Sequence, residues 1–119
     1  MKGEATAVVA IADVSGPAFA GVFSARERAY AADKSDPERR LAARLAAKQA
    51  CIAALGGGLQ RSDVEIVRGR GGPPRIELSP RGRERLAAIG GERVLVSLTH
   101  GREHAAAIVL VLGRGDRPR

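Results

Sequence analysis

The chain has 119 residues, 45% of them hydrophobic and 28% charged, which is one domain with a modest core. Aromatics make up 3% with no Trp, so that core must be built from Ala, Val, Leu and Ile, while the net charge of +7 favours acidic partners. There is no aromatic stacking surface and no helix-turn-helix, zinc-finger or RNP-type signature, which argues against nucleic acid; the lone Cys51 has no disulfide partner and reads as a small buried hydrophobe.

Residues 6–14 are apolar and β-branched, the pattern of a buried strand, with Asp13 near its end. The apolar run is too short to span a bilayer and does not read as a signal peptide, so a cytoplasmic protein without membrane association is expected. Ser15-Gly16-Pro17 breaks the strand. Residues 19–32 read as two short helical pieces, the second opened by Ser24 as N-cap with Glu27 at the capping-box position. Residues 37–55 form the main helix: Asp36 is placed to cap it, Pro37 suits its first position, and the Ala/Leu run has high helix propensity. In that helix Leu41 and Leu45 mark a packing stripe, and Arg40, Arg44 and Lys48 a charged one. Gly56-Gly57-Gly58 ends it. Residues 64–68 and 75–78 form a hairpin across the turn 69–74, residues 80–89 a basic helix, and residues 93–99 and 103–112 a second hairpin. Residues 1–112 thus read as one domain and 113–119 as a disordered basic tail.

Arg44-Leu-Ala-Ala-Lys48-Gln49-Ala50 followed by Ala53-Ala-Leu55-Gly56 resembles the R-x-A-A-K-E-A and K-A-L-G helix of the holo-acyl-carrier-protein synthases, the small 4'-phosphopantetheinyl transferases. Three more segments match in the family's order. Phe23-Ser-Ala-Arg-Glu27-Arg-Ala-Tyr30 resembles F-[ST]-x-x-E-x-x-Y. Asp63-Val-Glu65-Ile-Val with Gly72-Pro-Pro74 resembles its D-[IV]-E-[IV] hairpin. Ser97-Leu-Thr-His100 with Glu103-His-Ala105 resembles its last hairpin. The resemblance implies an α+β fold with a long helix packed on an antiparallel sheet, in a trimer. The implied reaction transfers phosphopantetheine from coenzyme A to a serine of an acyl or polyketide carrier protein, with magnesium, in fatty acid or polyketide biosynthesis.

Mapped onto this chain, the resemblance implies metal ligands at Asp13 and Gln49, a catalytic set of Asp13, Gln49 and Lys48, and coenzyme A contacts from Arg44, Lys48, His100 and Arg75. Two replacements cut against catalysis. Gln49 stands where the family has a glutamate and brings no charge to a metal, so magnesium binding is expected to be weak or lost. Ala53 stands where the family has a phosphate-facing lysine, and a methyl group cannot neutralise phosphate charge. The family's basic carrier-docking helix after the first strand is also missing, because Gly16-Pro17 cannot form it. Whether the chain is an enzyme is therefore open at this stage. The alternatives are a degenerate member that binds a carrier protein or coenzyme A, and an enzyme of secondary metabolism acting on another substrate.

Overall fold

The long helix α2 (Pro37–Ala54) lies across one face of a three-stranded antiparallel sheet of order β1 (Gly3–Ala10), β5 (His104–Gly113), β4 (Gly91–His100). This computed structural model describes residues 1–19, 21–69 and 71–117. Helix α1 (Ala25–Ala32) precedes α2; the hairpin of β2 (Val64–Arg68) and β3 (Pro74–Leu78) and then helix α3 (Pro80–Ala88) follow it. The architecture is the expected α+β arrangement.

The central β5 alternates Ala105, Ala107, Val109 and Val111 toward α2, all of them buried. Against them α2 sets Ala42, Ala46, Ala50 and Leu45, none more than 1% exposed. With so many alanines the two layers approach closely. At Gly3 the first strand meets the Ala54 carbonyl so tightly that any Cβ would collide with it. Gly56, Gly57 and Gly58 all have positive φ, which turns the chain away at the end of α2 as read from the sequence. Arg85 and Arg81 of the α3 region then donate to the Leu55 and Gly58 carbonyls at 3.4 and 3.5 Å. Much of the basic charge near α3 therefore serves to satisfy carbonyl groups at a helix end.

Several boundaries differ from expectation for local reasons. The first strand stops at Ala10, and Ile11–Asp13 winds into a 3-10 turn, so Asp13 is exposed after the strand. Pro17–Phe19 forms a second 3-10 turn, and of the two helical pieces expected over 19–32 only the second, Ala25–Ala32, is an α-helix among the described residues; Ala20 lies outside them. The Asp36 carboxylate accepts no capping bond from the first turn of α2 and instead accepts from Arg40 Nε at 3.0 Å, one turn on. Ser24 and Glu27 form the capping box that the sequence predicts. Of the tail expected to be disordered, Gly113 completes β5 and Asp116 accepts from its N–H at 2.7 Å while pairing with the Met1 ammonium at 3.2 Å. Pro118 and Arg119 lie outside the described residues, as does Arg70 of the expected 69–74 turn.

The charged stripe expected on α2 points inward. Lys48 is 1% exposed and its Nζ pairs with Glu27 Oε1 at 2.9 Å. The same ammonium donates to the Arg61 carbonyl at 3.3 Å and, more closely, to the Val64 carbonyl. Glu27 Oε2 accepts from the Ile66 N–H at 2.9 Å, and Oε1 from the Ser24 N–H at 2.8 Å. One ion pair thereby ties α1, α2 and β2 together. Removing one partner leaves the other charge buried and unpaired. Lys48→Met is expected to lose about 3–5 kcal/mol of stability in urea unfolding.

Candidate active site

Two regions that carry positive charge adjoin this pinned centre, one a cluster and the other a single arginine. The first surrounds Tyr30 at the end of α1. Arg44 is 2% exposed, and its guanidinium carbon sits 3.9 Å from the Tyr30 ring centre; Lys34 Nζ lies 4.9 Å from the same ring. Burial opposes ionisation of the phenol, but Arg44, Arg68, Arg40 and Lys34 together hold Tyr30 below the usual tyrosine range. Burial also lowers the basicity of Arg44, against the stabilising Tyr30 oxygen, and its Nε has no hydrogen-bond partner. Arg40 is the member of the group with a carboxylate of its own, Asp36. His100, at the end of β4, adds to the field that keeps Asp36 below the ordinary carboxylate range, after the direct Arg40 bond. Four cations with one carboxylate on Arg40 leave a net positive surface suited to a phosphate.

Of the residues mapped from the sequence, Arg44 and His100 belong to this region. Lys48 is spent on Glu27 and two carbonyls. Arg75 lies on the outer edge of the hairpin and pairs with Glu77 at 3.2 Å, a carboxylate also held by Arg26 at 2.9 Å. Between the hairpin and α1 lies a cleft of about 300 Å³ whose walls include Asp63, Glu65 and Glu77. Those carboxylates are bonded to Ser79, Ser24 and Arg26 respectively, and their sign suits a phosphate poorly. Tyr30, Arg40 and Arg68 were given no role from the sequence. Tyr30 carried a signal as the last position of its motif, and Arg40 as part of the charged stripe of the main helix.

The second grouping is an open depression of about 620 Å³ lined by Gln49, Ile52, Ala53, Gly57, Leu59, Gln60 and Arg61. Gln49 and Ala53, the two replaced positions, share it as their one-turn spacing dictates. Asp13 does not line it. The divalent cation that the resemblance implies does not fit this donor set. Magnesium takes hard oxygens with one or two carboxylates; here the first position is an exposed aspartate and the second an uncharged amide beside a guanidinium. Among the described residues no three His, Cys, Asp or Glu side chains gather as a metal set. Cys51 is fully buried beneath this part of α2, where burial pushes its thiol up to about 12, so it offers neither nucleophile nor ligand.

No family model matches the chain. A holo-[acyl-carrier-protein] synthase of Moorella thermoacetica is 44% identical over 96 residues, spanning 78% of this chain and 75% of that protein. One of Nitratidesulfovibrio vulgaris strain Hildenborough is 40% identical over 81 residues, spanning 65% of each. The crystal structure of the Neisseria meningitidis holo-[acyl-carrier-protein] synthase superposes with a TM-score of 0.82 at 25% identity, covering 94% of this chain and 98% of that one. The Helicobacter pylori synthase, solved in complex with coenzyme A, shares the fold with a TM-score of 0.75 at 23% identity, covering 92% and 99%. Sequence identity across three quarters of a relative, on a fold that superposes nearly end to end, means that the chain belongs to the holo-[acyl-carrier-protein] synthase family.

Proposed function

We propose that this protein transfers 4'-phosphopantetheine from coenzyme A to a serine of an acyl or polyketide carrier protein, in fatty acid or polyketide biosynthesis. The cationic group around Tyr30 is the observation that supports this most directly, since coenzyme A carries its charge as phosphates. Arg40, Arg44, Arg68 and Lys34 hold part of that charge, with His100 at the margin. In the reaction, the carrier serine oxygen bonds to the phosphorus that bears the pantetheine arm. The bridging phosphorus–oxygen bond breaks, 3',5'-ADP leaves with the electron pair, and the serine proton passes to solvent or a base. Lys48 serves by position, holding the carbonyls of Arg61 and Val64. The charge of +7 suits an acidic carrier. No helix among the described residues is long and apolar enough to cross a membrane, and we place the protein in the cytoplasm.

Gln49 and Ala53 favour a second reading, a member with weakened transfer that retains coenzyme A or carrier binding or has passed to another substrate. Incubation with apo carrier protein and coenzyme A decides between them. Transfer adds the phosphopantetheine mass to the carrier; an unchanged mass at micromolar enzyme, with coenzyme A still bound, supports the second reading.

We further propose a homotrimer. The sheet face opposite α2 carries Val8 at 61% and Ile108 at 39% exposure, with Leu110 beside Ile108 along β5. A thin alanine core gains from burying such a face. Light scattering is expected to give three times the chain mass, and Ile108→Glu to give monomer.

The metal is weakly bound or lost. Calorimetry is expected to show little magnesium binding, with or without coenzyme A. Gln49→Glu should tighten it roughly ten- to a hundredfold, because a charge at contact range is worth about 1–4 kcal/mol between water and a protein surface.

A further inference from the structure

The depression on α2 has a donor set of its own. Arg61 is its one charged lining residue, and among the described residues no carboxylate pairs with that guanidinium. The side chain is not loose: its guanidinium carbon lies 5.3 Å from the Phe19 ring centre. The backbone beneath it is clamped twice. Lys48 Nζ holds the Arg61 carbonyl at 3.3 Å, and the Asp63 carboxylate accepts from the Gln60 N–H at 2.8 Å. Gln49 projects from α2, and Arg85 and Arg81 donate to the carbonyls of Leu55 and Gly58, on either side of Gly57, which lines the same depression. A guanidinium and two carboxamides, with no carboxylate among the lining residues, present hydrogen-bond donors under a positive field. Such a site repels a divalent cation and attracts a group with several anionic oxygens.

We propose, resting on the transferase function above, that Arg61 with Gln49 and Gln60 forms a metal-independent seat for the pyrophosphate of the substrate. The fixed guanidinium supplies the positive charge that a cation supplies where both carboxylates are present. Its five N–H donors match two neighbouring phosphate oxygens, which an ammonium at the Ala53 position would meet as a point charge. Loss of the carboxylate at Gln49 and of the lysine at Ala53 then form one change: a negative ligand and its balancing cation leave together, and Arg61 takes the anion directly.

The test is calorimetry on the whole chain with coenzyme A, dephospho-coenzyme A and free pyrophosphate, each in EDTA and in excess magnesium. Wild type is expected to bind coenzyme A with the same affinity, within about twofold, in both conditions. Arg61→Ala should weaken coenzyme A and dephospho-coenzyme A by the same factor, about tenfold or more, because both carry the pyrophosphate. Arg61→Lys should recover part of the loss. An unchanged melting temperature shows that the clamped backbone has survived; if Arg61→Ala unfolds, Arg61→Gln carries the comparison. Coenzyme A binding that vanishes in EDTA overturns the proposal, as does full affinity in Arg61→Ala. A wild type that binds pyrophosphate through Arg61 but no form of coenzyme A upholds the anion seat and overturns the transferase function. Binding of neither overturns both.

Discussion

The buried pair of Glu27 and Lys48 is the interaction on which the rest of this small structure hangs. Each ion has its remaining valences filled by the backbone: Glu27 by the N–H groups of Ser24 and Ile66, Lys48 by the carbonyls of Arg61 and Val64. An apolar pair of equal volume could be as stable against unfolding, yet it would leave those four backbone groups in want of partners. The pair therefore acts chiefly as a positioning device. It fixes where α1 meets α2, where the hairpin begins, and at what height the 60–63 turn stands beside the helix.

Both cationic regions inherit their geometry from that pin. On one side, α1 carries Tyr30 to a place where Arg44 can lie flat against it. On the other, the 3-10 turn Arg61–Asp63 carries Arg61 to the depression that Gln49 and Ala53 line. Neither arginine of these two has a carboxylate partner among the described residues, whereas Arg26, Arg40 and Arg75 do. Cations held in place without a carboxylate partner are preorganised for an anion. The carboxylate-lined cleft beside the hairpin has the opposite character, so the sign of charge divides the surface into a cationic part and an acidic one.

The alanine-rich core has a cost. Small side chains let α2 sit close to the sheet, as the contact at Gly3 requires, but each buries little area. The open face of the sheet, with Val8 and Ile108 outward, is the apolar surface left over once the inner face is filled. The same packing explains why Cys51 is inert: it is fully buried, and burial outweighs the opposing charge of Lys48.

The elements themselves were legible from the residues. Alanine and leucine dictate α2, Ser24 and Glu27 dictate the cap of α1, and alternating apolar residues dictate the two hairpins, because these are short-range preferences of the backbone. The collinear motifs were enough to place the family. The orientation of α2 was not legible. Helical spacing shows that Arg44 and Lys48 share a face, but a helix with Ala42, Ala43, Ala46, Ala47 and Ala50 offers small apolar residues almost all round. Which face goes inward was decided by Glu27 and the carbonyls of Arg61 and Val64, residues distant in sequence that supply the counter-charge and acceptors the buried ammonium uses. The arrival of Arg61 beside Gln49 likewise depends on how the turns pack. Sequence by itself determined the parts and their order, since those rest on local propensity; tertiary structure decided which charges are buried, paired or free, since that rests on desolvation among residues brought together only by the fold.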